Sequence, residues 1–349
     1  MTRAFSPAEV EVVRLDRTDQ SEFTNLVSRL KPFDPKTEAA AFVSEAQLQS
    51  ARLPVELRRA LQRLRTDGEV RGGLLIRGIP LGAVPATPAH ADLAIGLGLD
   101  ATRALSVVAG ALGEQFGFRP ELSGHVIQDI LPVPGFEDTQ QSISSRALLE
   151  LHCETVFTDA RADFVALLCL RPDPKRQAAT LISTAHDVLE RLSPETIRTL
   201  RAPRFATTVD GSFLRGSGLL DAVTVQPITV LAGSAKRPRL RCDFAETTGM
   251  DDDAQRAVEE LYAAADAAAK AVYLDRGDLL LIDNHSTFHG RTPFERTGDG
   301  TDRWLLRSFI ARDLARSIAH RPGGGRIIDI DYTALVHKPP IGTATEKGA

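Results

Sequence analysis

The chain changes its hydrophobic rhythm about a third of the way along. Up to about residue 120, apolar residues recur at the three-to-four spacing of a helix face: PVELRRALQRL (54–64) and TRALSVVAGALGEQFG (102–117) each predict a helix, the second running to Gly117. Between them GGLLIRGIP (72–80) is a continuous apolar run bounded by turn residues, the pattern of a buried strand. From about residue 123 the runs become short, β-branched and Leu-rich. HVIQDILPV, ALLELHCETVF, DFVALLCL, ATLIS, ITVLAG and DLLLIDN follow one another, separated by Gly, Pro or Asp, and predict a region that is mostly sheet. One helix interrupts it, AQRAVEELYAAADAAAKAV (254–272), opened by Asp251, Asp252 and Asp253, whose charges suit a helix N-terminus. No repeat or linker-like tract divides the chain, so residues 1–330 read as one domain: a helical N-terminal third (1–120) and a β core over about 121–327. The segment VHKPPIGTATEKGA has the composition of a flexible end, and 331–349 is expected to be a tail.

Charge and cysteine usage narrow the classes. The 349 residues carry 42 Lys+Arg against 46 Asp+Glu, a net charge of -4 with the signs interspersed, so no basic field is available to hold a nucleic acid backbone. Three cysteines, Cys153, Cys169 and Cys242, form neither a disulfide framework nor a CxxC metal pair, which fits a reducing cytoplasm. No apolar run reaches the roughly 18 residues of a membrane span. The start, MTRAFSPAEVEVVRLDR, carries charges where a signal peptide has its apolar core. A small molecule is the partner this leaves, and the oligomeric state is open.

The candidate chemistry begins at His152-Cys153-Glu154, inside an apolar strand-like run. Residues i and i+2 of a strand share a face, so His152 and Glu154 are expected to project together as two adjacent metal ligands, with Cys153 on the other side. An isolated HxE is also an ordinary strand feature, so the reading needs a third ligand. His289, in LLLIDNHSTFHGR, follows the next strong apolar run and precedes Gly290, expected to form a turn. Two His and one carboxylate with open positions are the ligand set of non-haem Fe(II) oxygenases. Fourteen residues on, Arg303 in DRWLLRSFIARD is a fixed cation suited to the remote carboxylate of a keto-diacid.

In LELHCETVFTDARADFVALLCLR, GDLLLIDNHSTFHGRTPF and DGTDRWLLRSFIARD, the chain resembles the clavaminate synthase-like Fe(II)/2-oxoglutarate-dependent oxygenases, and among them the free amino acid hydroxylases. The resemblance extends over about 100–327. It implies a double-stranded β-helix, or jelly roll, wrapped by helices, mainly β within an α+β chain. It implies Fe(II) held by His152, Glu154 and His289, with 2-oxoglutarate and O₂ as co-substrates. Arg303 matches the arginine that pairs with the distal carboxylate of 2-oxoglutarate, and Thr180 a hydroxyl that assists it.

On the substrate side, Arg307 matches an arginine for the amino acid α-carboxylate, Glu121 a group accepting from the α-ammonium, and Ser142 a hydroxyl near the substrate backbone. Asp210 and Ser212, in TTVDGSF, match a lid that reaches the substrate side chain. Arginine-hydroxylating relatives carry two Asp at i and i+2 where this chain has Arg241 and Asp243. One carboxylate, joined by Asp210, suits a compact ammonium, so lysine or ornithine is expected ahead of arginine or citrulline, in natural-product (antibiotic) biosynthesis. Two other outcomes of the same residues are desaturation or ring closure at the same iron, and a metal-binding jelly roll without turnover. The cation Arg303 speaks against the second. His285, His186 and His125 are expected to be surface or packing residues, the three cysteines to be buried packing residues, and Trp304 to face the wrapping helices. The carbon oxidised and its stereochemistry stay open.

Overall fold

The computed structural model describes residues 5–66, 72–89, 98–214 and 223–332. It is a mixed α+β architecture of stacked layers. Helices Arg17–Ser28, Ala39–Ser50, Val55–Thr66 and Asp100–Leu112 form the first layer. Their apolar stripes, such as Leu57, Ala60, Leu61 and Leu64, pack on one face of an eight-stranded sheet. The strand Phe164–Arg171 lies within that sheet, antiparallel to Leu279–Asp283 on one side and Trp304–Ala311 on the other.

These central strands read as unbroken apolar runs because both of their faces are covered. Phe164, Ala166, Leu168 and Leu170 point to the helices, whereas Val165, Leu167 and Cys169 point to a second core on the opposite side. Trp304, fully buried, lies on the helix side as expected and donates its indole N–H to Asp129 (2.7 Å). The second core also takes Ile182 and Val272 from a four-stranded sheet, ordered Lys270–Val272, Thr180–Thr184, Thr287–Arg291, Leu149–His152. The outer face of this smaller sheet, with Leu181 and Phe288, packs on helix Asp252–Ala268. Asp251 caps that helix by accepting from the Ala254 N–H (3.0 Å).

Three predicted boundaries move, each because sheet pairing overrides local propensity. The helix expected to reach Gly117 stops at Leu112, and Glu114–Phe118 becomes a strand beside Phe309–Ala311. The switch sits at Gly113, where a Cβ would lie 2.1 Å from the Ala311 carbonyl oxygen. The helix expected over 254–272 ends at Ala268, since Lys270–Val272 pairs with Thr180–Ile182. ITVLAG divides between the strands Thr224–Ile228 and Leu231–Ser234. Of the expected tail, Tyr332 is buried against Phe157 and Phe213, and 333–349 lies outside the described residues. Among the described residues no helix is long and apolar enough to cross a membrane.

Candidate active site

All eleven site residues named from the sequence line one cavity of about 360 Å³, between the two sheets. Its size is that of a small-molecule site.

His152 and His289 are cross-strand partners, with ring centroids 4.4 Å apart. His152 closes its strand, and its Nδ1–H donates to the Glu150 carbonyl (2.8 Å), which turns the Nε2 lone pair toward the cavity. Glu154 is not on that strand, contrary to the i, i+2 expectation. The ladder ends at His152, and Thr155 adopts a positive φ of 51° in the turn that follows. Asn284 holds this turn: its side chain accepts from the Glu154 N–H (2.7 Å) and donates to the carbonyls of Glu154 (3.2 Å) and Ala162 (2.9 Å). The carboxylate reaches the two imidazoles by that clamp. His289 sits in mid-strand, and Gly290 forms no turn. It is a close-approach glycine, where a Cβ would lie 2.5 Å from the Leu149 carbonyl oxygen.

One ligand atom from each of the three side chains lies within 4.8 Å of the others. Burial alone would raise the Glu154 carboxyl, but Arg307 and His289 outweigh it and hold it well below the carboxylate range. Burial, with His152 beside it, pushes His289 down, so it stays neutral. The His289 Nε2 to Glu154 Oε1 separation of 3.4 Å is longer than a good N–H···O bond, and the buried Nδ1 has no partner. Two imidazoles and one ionised carboxylate, converging without bonding each other well, fit a divalent transition metal with open positions.

Arg303, Leu305 and Arg307 share the cavity face of one chain segment, as the alternation predicts. Arg303 is 7% exposed, has no carboxylate at salt-bridge distance among the described residues, and is pushed down to about 10 by burial. Thr180 lies nearby at the start of its strand. Arg307 is heavily partnered. It donates to Gln128 (2.8 Å from Nε), to Glu121, and at 3.3 Å to Glu154 itself. Burial raises the Glu121 carboxyl against the pull of Arg307. Gln128 and Asn284 escaped the sequence reading because only the fold brings them to the site.

Farther along the cavity, Asp210, Asp243 and Glu246 converge. Asp210 accepts from the Ser212 N–H (2.6 Å) and Asp243 from the Ala245 N–H (2.9 Å). Burial raises Asp243, with Asp210 and Glu154 adding to it, and burial raises Glu246, with Asp243 and Asp210 adding to it. None of the three has a Lys or Arg at salt-bridge distance among the described residues. Arg241, which replaces a carboxylate in the pattern, turns away to the Val156 carbonyl (2.6 Å) and Asp159 (2.6 Å). Glu246 was missed from sequence, although its place three residues after Asp243 in a turn was a usable signal. Ser142 lines the cavity, as do Asp210 and Ser212 of the expected lid. His285 is buried between Asp163 (2.9 Å) and Arg161 (2.7 Å), away from the cavity. His186 and His125 are half-buried, and the three cysteines are buried and free, their thiols pushed up by burial.

Residues 29–309 match the family of the taurine catabolism dioxygenase TauD and TfdA. The chain is 37% identical to the L-asparagine oxygenase of Streptomyces coelicolor, over 93% of this chain and 97% of that protein. It is 32% identical to the L-lysine 3-hydroxylase of Catenulispora acidiphila, over 94% of this chain and 92% of that one. A crystal structure of asparagine oxygenase with Fe(II), 2S,3S-3-hydroxyasparagine and succinate superposes with a TM-score of 0.84 at 35% identity, covering 91% of this chain and 99% of the other. By these matches, the chain belongs to the TauD/TfdA family of dioxygenases, in its free amino acid branch.

Proposed function

We propose that this dioxygenase hydroxylates an unactivated carbon of a free basic amino acid, lysine or ornithine. The observation that carries the substrate class is the trio Asp210, Asp243 and Glu246, three carboxylates converging on one end of the cavity with no cationic partner among the described residues. A neutral side chain would leave them desolvated and mutually repelling, whereas an ammonium relieves both costs.

In this reading the facing sheets are the two walls of a jelly roll, and Fe(II) is held by His152, Glu154 and His289. When bound, the iron supplies the O₂ chemistry that converts 2-oxoglutarate to succinate and CO₂ and inserts the second oxygen atom into a C–H bond. The protein's part is positioning. Arg303, with Thr180, holds the distal carboxylate of 2-oxoglutarate. Arg307 takes the substrate α-carboxylate and Glu121 the α-ammonium. The bonds from Arg307 to Glu121, Gln128 and Glu154 fix its fork before any substrate arrives, so little ordering remains on binding. Ser142 and Ser212 supply hydroxyls along the walls.

The test is a screen of lysine, ornithine, arginine, citrulline, asparagine and leucine with Fe(II), 2-oxoglutarate and ascorbate, read by mass and by succinate. A gain of one oxygen on lysine or ornithine, one succinate per product, is expected. Turnover of asparagine or leucine alone overturns the substrate reading, and loss of two hydrogens marks desaturation instead.

A further inference from the structure

The charges lining the cavity are balanced at one end only. Arg307 is neutralised by Glu121 and Glu154. At the other end Arg303 and a second guanidinium, Arg291, are both buried, and neither has a carboxylate at salt-bridge distance among the described residues.

Arg291 follows His289 by two residues on one strand, so both project to the same face, and it stands opposite Thr180 on the neighbouring strand. Its Cζ lies 4.8 Å from the centre of the Phe294 ring, and that of Arg303 lies 5.9 Å from the same ring, so one apolar plate borders both cations. The fork of Arg291 is fixed on the segment 144–147. It donates to the Ser145 carbonyl (3.1 Å), the Ser144 hydroxyl (2.8 Å) and the Ala147 carbonyl (3.2 Å). Its Nε–H is buried and has no partner. Two adjacent buried cations without a counter-ion are costly, and an anionic ligand lifts that cost.

We infer that Arg291 is a second cation of the co-substrate subsite, a positioning residue that raises affinity for the keto-diacid by adding its charge to that of Arg303 at the distal carboxylate. The inference rests on the reading of this cavity as a 2-oxoglutarate site. All acceptors on the Arg291 fork are neutral, so its whole charge remains available to the ligand.

The test is calorimetric binding to the full chain loaded with Mn(II), using 2-oxoglutarate and 2-oxobutyrate, which shares the keto acid end and lacks the distal carboxylate. In Arg291→Gln the Kd for 2-oxoglutarate is expected to rise roughly tenfold or more, the size of one lost charge interaction in a partly buried site. The Kd for 2-oxobutyrate should stay within about twofold of wild type, and Arg291→Lys should recover most of the 2-oxoglutarate affinity. The ratio of the two constants on one sample does not depend on the folded fraction, so a poorly folding variant still decides the matter. An equal loss for both keto acids makes Arg291 a structural tie only and overturns the inference. A 2-oxoglutarate Kd unchanged in Arg291→Gln but raised in Arg303→Gln overturns it while leaving the co-substrate reading intact. If wild type binds neither acid, both fall together.

Discussion

Asp243 stands directly across an antiparallel bridge from His152. The flanking bonds, Cys153 N–H to the Cys242 carbonyl (2.9 Å) and Phe244 N–H to the Leu151 carbonyl (3.5 Å), make it a non-hydrogen-bonded pair, the arrangement in which facing side chains approach most closely. A group held by Asp243 therefore sits beside the His152 imidazole, one of the three proposed iron ligands. Arg307, in turn, touches Glu154 (3.3 Å). In the proposed reading, both ends of the substrate are tethered to residues in contact with the iron ligands, and the carbon to be oxidised lies between the two tethers.

The triad carries the first prediction. His289→Ala and His152→Ala should each abolish turnover and sharply weaken Fe(II) binding, because no other His, Cys, Asp or Glu among the described residues completes a cluster there. Metal content after dialysis checks this. Asn284→Ala should lower iron affinity without removing a ligand, by releasing the turn that aims Glu154.

Arg303 carries the second. Loss of a charge-assisted contact to a buried carboxylate costs on the order of 2–5 kcal/mol, so Arg303→Ala should raise the KM for 2-oxoglutarate tens-fold or more. The KM for the amino acid should change little. Steady-state kinetics with each substrate varied in turn separates the two, and an unchanged 2-oxoglutarate KM removes Arg303 from that role.

What was legible from sequence follows what is local. HxE, the later His289 and the i, i+4 pair Arg303 and Arg307 lie close in the chain or in a fixed order, and strand alternation is enough to place the arginines on one face. The two-sided apolar runs marked the central strands because the sheet is covered on both sides. The rest depends on distant segments. Asn284 reaches Glu154 from 130 residues away, and Gln128 reaches Arg307 across 179. The Ala-rich run 254–272 has helix propensity to its end, and only pairing with Thr180–Ile182 turns Lys270–Val272 into a strand. Gly290 looked like a turn because its actual role, backbone clearance against Leu149, is invisible without the partner strand.

The third prediction concerns acid stability. His285 is pushed down to about 4, first by burial and then by Arg161 and Arg239, with Asp163 opposing. Its unfolded value is near 6.5, so between about pH 6.5 and 4 the unfolded chain binds a proton that the folded one refuses. Stability contributed by neutral His285 is complete above about pH 6.5 and falls as the pH drops toward 4, by up to about 3 kcal/mol. Urea unfolding across this range should show the loss. His285→Gln should flatten the slope, and an unchanged slope assigns it to other groups.

The last prediction separates the substrate reading from the iron chemistry. Asp243 and Glu246 face one end of the cavity, and after burial it is Asp243 that keeps the Glu246 carboxyl raised. Asp243→Asn removes the carboxylate that stands across the strand bridge from His152 and should lower kcat/KM for the basic amino acid by about tenfold or more, as loss of a buried charge pair does. Glu246→Gln, at a carboxylate less deeply buried than Asp243, should cost less. Uncoupled conversion of 2-oxoglutarate to succinate, measured without amino acid, should be nearly unchanged in both, since neither side chain reaches Arg303, His152, Glu154 or His289 by a hydrogen bond. In the Asp243→Asn variant, discrimination should also shift toward a neutral polar side chain, because the amide no longer pays a desolvation penalty for an unmatched charge. Competition between lysine and asparagine or glutamine in one reaction, read by product mass, measures that shift directly. If the variant loses activity equally on every amino acid while its lysine-to-asparagine ratio stays fixed, Asp243 supports the fold around His152 and does not read the substrate.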